Sequence, residues 1–479
     1  MTKTTSLQKL PILACLLLFG SSSFHAQTHP YIPDHDPLVQ QNLAAWQDLK
    51  FGFMMHWGAY SQWGVVESWS LCSEDWIDRN GADYMQYVQK YEALPKTFNP
   101  TKFNPEKWAA AAKEAGMKYV VFTTKHHDGF CMFDSKYTDY KITGPDCPFH
   151  TNPKADVTKY IFDAFRQQDF KIGAYFSKPD WHCDDYWAHE WATPNRCNNY
   201  DIRRYPKRWQ QYEDFTYNQI GELMSKYGKV DILWLDGGWV RPDSTITEEV
   251  ISWGYDLPKW GQAIDMQRIA RMARQQQPGI LIVDRSVHGP YENYRTPEQQ
   301  VPDKTLPYPW ETCMTMAGGW SYSFNPQYKS TRQLVQTLVD IVAKGGNFLL
   351  NAAPGPDGEL DDEAYLRLKE IGEWMALNGE AIYATRPIAP YKEGKVCLTQ
   401  KKDGKTLYAI YLPDEDEQEM PSKIWMSSLA LPKYSQVKLM GSQEALHWEA
   451  VGKGFVVDIP EQFRKKPYCK WAWVLEIRG

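Results

Sequence analysis

Between residues 50 and 380, short apolar runs alternate with longer stretches whose apolar positions recur at the helical period. The runs 51–56, 119–124, 172–177, 232–236, 280–284 and 348–352 have strand length. Segments 105–115, 157–168, 209–227, 260–276 and 331–343 carry the helical pattern between them. Such alternation predicts a parallel sheet, and its length without a dinucleotide-binding fingerprint favours a (β/α)8-like barrel over a doubly wound sheet. Six strands are legible rather than eight, so closure of the barrel is an inference. A further helix over 361–377 starts at Asp361 behind the Pro356-Asp357-Gly358 turn and stops before Asn378-Gly379. After Pro387 the texture changes. Segments 406–412, 435–439, 455–459 and 471–477 read as short strands without helical period, which predicts a C-terminal β-sandwich. The expected division is a barrel over 28–384 and a sandwich over 385–479.

Residues 1–27 have the form of a secretory signal: Lys3 and Lys9, an apolar run from Leu10 to Phe19, then small polar residues up to Ala26 and Gln27. Cleavage there predicts a secreted or periplasmic protein. Cys15 offers a lipoprotein alternative, but it sits inside the apolar run rather than at its end, so ordinary cleavage is preferred. No later segment is apolar for long enough to span a membrane. The formal net charge of -6 gives no basis for nucleic acid or an anionic membrane surface as partner. Of 9 cysteines, those beyond the leader are scattered and show no Cys-x-x-Cys spacing. Outside the cytoplasm they can pair, and a core of this size needs no such staples, so some are equally well read as buried thiols.

The candidate chemistry collects where the predicted strands end. His56 closes the first, Lys125-His126-His127-Asp128 follows the second, Asp236 closes the fourth ahead of two glycines, and Arg285 follows the fifth. In a β/α barrel these ends converge on one face, so residues distant in sequence line one pocket. Taken singly, each has an ordinary structural explanation, such as a satisfied core histidine or a turn aspartate with an arginine partner. His126 and His127 suggest a metal, yet adjacent residues of an extended segment point to opposite sides and do not chelate one ion. Hydrogen bonding to ligand hydroxyls suits them better. Trp57, Trp69, Trp234, Trp239, Trp310 and Trp320 flank these polar residues, and flat rings beside hydrogen-bonding groups point to carbohydrate. Glycoside cleavage by two carboxyl groups would use Asp236 and one of Glu292, Glu298 and Glu311.

The motifs Phe51-Gly52-Phe53-Met54-Met55-His56-Trp57-Gly58, Thr124-Lys125-His126-His127-Asp128-Gly129-Phe130, Trp234-Leu235-Asp236, Asp284-Arg285, Thr296-Pro297-Glu298 and Lys344-Gly345-Gly346-Asn347-Phe348-Leu349-Leu350-Asn351 closely resemble those of the α-L-fucosidases of glycoside hydrolase family 29, in order, from about residue 40 to 385. The resemblance implies a (β/α)8-like barrel with a C-terminal β-sandwich and removal of terminal α-L-fucose from fucosylated oligosaccharides or glycoconjugates, with retention. It implies no metal and no organic cofactor, and leaves the oligomeric state open. It makes Asp236 the nucleophile, assigns sugar hydroxyls to His56, His126, His127, Tyr175 and Arg285, and sets Trp234 and Trp320 beside the ring and its methyl group. The family's Glu-Trp pair after the first strand is not reproduced. Glu67-Ser68-Trp69 and Glu74-Asp75-Trp76 both carry an intervening residue, and Glu67 is preferred as nearer His56.

For the acid/base, Glu298 is preferred to Glu311, because it lies in a Pro-bounded loop able to reach a glycosidic oxygen and fits the family's Thr-x-Glu pattern. Its carboxyl is expected roughly 5 to 5.5 Å from that of Asp236. Two rival readings keep the site. One is an α-L-galactosidase, since an apolar pocket rejects an extra hydroxyl only modestly. The other is a non-catalytic fucose-binding protein.

Overall fold

The structure, a computed structural model, describes residues 30–72, 79, 83–191, 196–254 and 257–479. The leader, including Cys15, and Glu74 lie outside the described residues.

Seven parallel strands form the first sheet: β1 (Phe51–Met55), β2 (Tyr119–Lys125), β3 (Lys171–Ser177), β4 (Ile232–Asp236), β5 (Leu281–Asp284), β6 (Glu311–Thr315) and β7 (Asn347–Asn351). Their order is β5-β4-β3-β2-β1-β7-β6. Nearly every position in them is buried, as expected where helices cover one face and the barrel interior the other. A separate apolar cluster fills the interior, with Met54, Val121, Tyr175, Trp234, Val283, Cys313 and Leu349 drawn from the seven strands. The helix Pro37–Leu49, which the sequence pattern did not reveal, closes the lower end: its Trp46 stacks on Tyr294 at 3.9 Å between ring centres. Gly52 of β1 faces the Tyr119 ring, which a Cβ there would strike. The absent side chain lets Tyr119 reach across the floor to Glu311, its hydroxyl donating to Oε2 at 2.6 Å.

Among the described residues no eighth strand joins β5 to β6. An irregular segment fills that place. Glu292 bridges Val283 of β5 antiparallel, while Arg295 and Glu298 bridge Trp310 and Cys313 in parallel. The Gln299 amide then donates to the Cys313 carbonyl at 2.9 Å. Closure therefore holds, through a seam rather than a ladder. β6 escaped the hydrophobic pattern because it reads Glu-Thr-Cys-Met-Thr, with polar groups on its interior face.

The predicted helices are present, Thr331–Ala343 at its expected bounds and the others with shifted ends. The segment expected to begin at Trp260 becomes helical only at Met266, where the Asp265 carboxylate caps the Arg268 amide at 2.8 Å. Asp361 precedes the helix Asp362–Asn378, but its carboxylate accepts from the Tyr328 hydroxyl instead of capping. No described helix is long and apolar enough to cross a membrane, and all eight described cysteines are free thiols.

The C-terminal part contains β8 (Thr385–Glu393), β9 (Val396–Lys401), β10 (Thr406–Tyr411), β11 (Lys423–Met426), β12 (Gln436–Leu439), β13 (Ala445–Leu446), β14 (Trp448–Val451), β15 (Gly454–Asp458) and β16 (Trp473–Arg478). They form a six-stranded sheet, β13-β12-β16-β10-β9-β8, and a three-stranded one, β11-β15-β14. Alternate residues of both sheets make one core, as in a sandwich. The opposite face of the larger sheet contributes Tyr408, Ile410 and Val474 to the core under the barrel helices, where Trp374 Nε1 donates to the Ala472 carbonyl at 2.9 Å.

Candidate active site

The strand ends of the barrel deliver the polar groups to one pocket of about 110 Å3, lined by His56, Glu67, Trp69, His126, His127, Tyr175, Arg196, Trp234, Asp236, Trp239, Arg285, Glu298 and Trp320, with Met54 and Cys313 at its floor. Trp234 and Asp236, two apart on β4, both face inward, as do Tyr175 and Ser177 on β3. Gly237 follows Asp236 at φ +89°, in contact range of Pro179; a side chain there would clash, so glycine sets the turn that ends the strand.

Asp236 is gripped from three sides. The Tyr175 hydroxyl donates to Oδ2 at 2.7 Å, Arg285 Nη1 donates to Oδ1 at 2.9 Å, and His127 Nε2 lies 3.9 Å from Oδ2. Burial works to raise its pKa, yet the Arg285 charge, His127 and the Tyr175 hydrogen bond hold the carboxyl well below the usual carboxylate range. Asp236 is thus an ionised, oriented carboxylate.

Arg285 also joins the second carboxylate. Its Nη2 donates to Glu298 Oε2, and Trp320 Nε1 donates to Oε1 at 3.1 Å. One guanidinium therefore links Asp236 to Glu298. Their exposures differ in a way that matters: the Glu298 side chain is 41 % exposed, that of Asp236 14 %. Glu298 sits on the seam segment at the pocket rim. Glu311 does not: it begins β6 at the barrel floor, fully buried, accepting from Tyr119 and from Trp234 Nε1 at 3.3 Å, and burial pushes its carboxyl up to about 7. Glu292 is bound to His288 at 2.8 Å on the wall of a neighbouring cleft.

Each pocket histidine is fixed through its Nδ1. His56 meets Asn351 Oδ1 at 2.9 Å, His126 meets Ser68 Oγ at 2.5 Å, and His127 meets Ser177 Oγ at 2.8 Å. Asn351 donates its amide to the Trp320 carbonyl at 2.7 Å, so its oxygen accepts from His56 and leaves the far nitrogen of that ring as an acceptor. Burial depresses all three, His56 to about 4 and His127 to about 3, so the rings are neutral. The expectation that His126 and His127 point apart is overturned. β2 ends at Lys125, the two residues lie in the turn beyond it, and their ring centres are 4.2 Å apart. Strand alternation does not extend past the strand. Buried ion pairing of Lys125 with Asp180 at 2.8 Å and a hydrogen bond from the Trp181 amide to the His127 carbonyl hold that turn.

Glu67 does reach the pocket, at φ +28°, with Oε1 accepting the Ser321 amide at 2.7 Å. Burial, opposed by the Ser321 hydrogen bonds and reinforced by the nearby Glu298 charge, lifts its carboxyl to about 7. Of the tryptophans, Trp69, Trp234, Trp239 and Trp320 line the pocket. Trp57 and Trp310 do not. Trp57 packs among Phe98, Phe103 and Trp108, and both belong to the core under the helices. Sequence reasoning missed Arg196, which lies over the Trp69 and Trp239 rings at 4.6 and 5.2 Å. It also missed the orienting Ser68, Ser177 and Asn351. Of these, Ser177 and Asn351 were recognisable as polar residues at the ends of predicted strands.

A larger cleft of about 680 Å3 adjoins the pocket, sharing Asp236, Trp239, Arg285 and Glu298 with it. The two carboxylates stand where the closed pocket opens into the cleft.

The family profile described as alpha-L-fucosidase matches residues 18–380, and that of the alpha-L-fucosidase C-terminal domain matches 391–478. An alpha-L-fucosidase of Branchiostoma floridae is 29% identical over 98% of this chain and 99% of its own length; the human plasma alpha-L-fucosidase is 28% identical over 98% of each. Among solved structures, alpha-L-fucosidase isoenzyme 1 from Paenibacillus thiaminolyticus superposes with a TM-score of 0.72 at 29% identity, covering 92% of this chain and 99% of that one. A Thermotoga maritima alpha-fucosidase, solved in complex with fucose, gives 0.71 at 26% identity over 93% and 100%. With both halves of the fold matched end to end, the chain belongs to the alpha-L-fucosidase family and is a glycoside hydrolase of that activity.

Proposed function

We propose that the protein is a retaining exo-α-L-fucosidase in which Asp236 is the nucleophile and Glu298 the acid/base. The observation that carries this reading is the pairing of the two carboxylates on one guanidinium, Arg285, at the junction of a monosaccharide-sized pocket and an open cleft. A terminal fucose fills the pocket, its hydroxyls meeting His56, His126, His127, Tyr175, Arg285 and Glu67 and its apolar face meeting Trp234 and Trp320. The rest of the glycan leaves through the cleft past Glu298.

Asp236 attacks the anomeric carbon as the bond to the leaving oxygen breaks, and Glu298 gives that oxygen its proton. In the second step Glu298, now a carboxylate, takes a proton from water, which displaces Asp236 and releases fucose. The exposed Glu298 side chain has room to turn from Arg285 towards the glycosidic oxygen. The tight set of polar contacts to Asp236 stabilises the anion needed for attack and fixes its direction. The solved Thermotoga maritima relative with fucose supports the choice of sugar. A leader removed before residue 28 would place the enzyme outside the cytoplasm.

Proton NMR of the first minutes of aryl α-L-fucoside hydrolysis tests the stereochemistry. α-L-Fucose is expected to appear first; initial formation of the β-anomer would exclude a double displacement.

A further inference from the structure

His126, His127 and Asp236 bring three potential ligand atoms within 4.8 Å of one another. A hydroxyl holds Nδ1 of each ring, Ser68 for His126 and Ser177 for His127, which fixes the two rings as a partner on the far nitrogen does in protein metal sites. Nε2 of His127 lies 3.9 Å from Asp236 Oδ2. Arg285 takes the other oxygen of that carboxylate, so Oδ2 is turned towards the histidines and the Tyr175 hydroxyl. Arg196 and Arg285 oppose a cation in this pocket, while Glu67 and Glu298 on its walls offset them.

We propose that His126, His127 and Asp236 form a zinc-binding site that the cation occupies in competition with the sugar. Two imidazoles and one carboxylate are a donor set that zinc takes in open three-ligand sites, with the fourth position free. Here that position faces the pocket. Zinc–ligand bonds of about 2.0 to 2.1 Å place tetrahedral ligands roughly 3.3 Å apart, so the widest pair closes by at most about 1.5 Å, within reach of side-chain rotation. Magnesium and calcium, which prefer oxygen ligands, do not fit. A zinc ion bound to Asp236 blocks its attack on carbon, so the ion is an inhibitor and not a cofactor. That consequence rests on the fucosidase reading; the binding itself does not.

Calorimetric titration of the full chain with zinc chloride in a non-coordinating buffer, with and without saturating L-fucose, tests the site. One zinc equivalent is expected whose heat disappears in fucose, and the parallel inhibition of aryl fucoside hydrolysis is expected to be competitive and reversed by EDTA. His127→Ala and Asp236→Asn, checked for folding by thermal melting, are expected to weaken this zinc binding about tenfold or more. Absence of binding, binding indifferent to fucose, undiminished binding in both variants, or the same heat from magnesium overturns the proposal. Hydrolysis without zinc binding sinks the site and spares the enzyme reading. Fucose-sensitive zinc binding without hydrolysis of any fucoside does the reverse.

Discussion

Asp236 and Glu298 differ less in chemistry than in what surrounds them. Asp236 is enclosed and triply contacted, whereas Glu298 leans over the rim with two contacts. Substituting the first should therefore stop the reaction whatever the leaving group. Asp236→Asn is expected to retain fold and fucose binding while losing turnover, and Asp236→Gly to recover part of it with added azide, which enters the vacated space; steady-state rates with an aryl fucoside read both. Glu298→Ala is expected to lose far more activity on oligosaccharides than on activated aryl fucosides, because only the former need a proton on departure. Glu311→Ala, which strands the Tyr119 hydroxyl and the Trp234 indole, should instead cost about 1 to 3 kcal/mol of stability with no such selectivity. At this scale much of the site was legible, since a charged or hydrogen-bonding residue ending an apolar run announces itself. Ser68 was not, because it ends no apolar run, and the orienting role of Ser177 and Asn351 behind the histidines showed only in their partners far away in sequence.

The elements hold Asp236 by more than their ladders. β3, β4 and β5 are neighbours, and Lys178 just past β3 reaches across β4 to Asp284 at the end of β5, at 2.5 Å with both side chains buried. The same ammonium donates to the Val240 carbonyl at 2.8 Å, and the Lys178 amide donates to the Asp236 carbonyl at 2.9 Å. This brace straps the turn that carries Asp236 and anchors the residue before Arg285. Lys178→Met leaves Asp284 buried without its cation and is expected to cost about 3 to 5 kcal/mol in denaturant unfolding. A variant as stable as the parent would show that the pair braces nothing. The sequence pattern revealed the elements built around an apolar run, β1 to β5 and β7, and hid β6, which carries Glu311 and Thr315 on its inward face. It also hid the seam, which has no period to detect. The alternation rule failed at His126 and His127 for a related reason: it holds only while the chain remains extended.

Over the whole molecule, the pocket sets carboxyls and imidazoles against each other in acid. Glu67, raised to about 7 from an unfolded value near 4.3, favours the folded state most below that lower value, and its contribution is lost as pH rises through the window to about 7. The depressed His56 and His127 act with the opposite sign below about 6.5, and Lys50, pushed down to about 7, acts above the window. Only a difference between variants isolates Glu67. Glu67→Gln keeps an amide oxygen for the Ser321 N–H, so its melting temperature is expected to rise relative to the parent between about pH 4.3 and 7 and to hold a constant offset beyond. A constant offset across the whole range would mean that folding leaves the pKa of Glu67 unchanged. The seam has a wider consequence. Of the pocket residues, Tyr175, Trp234 and Asp236 belong to hydrogen-bonded strands and His56, His126, His127 and Arg285 lie within two residues of strand ends, while Glu298 rides on the stretch of wall with the fewest such ties. Under the assignment proposed above, substitutions in that stretch are expected to change which leaving groups are accepted while the binding of fucose itself is kept.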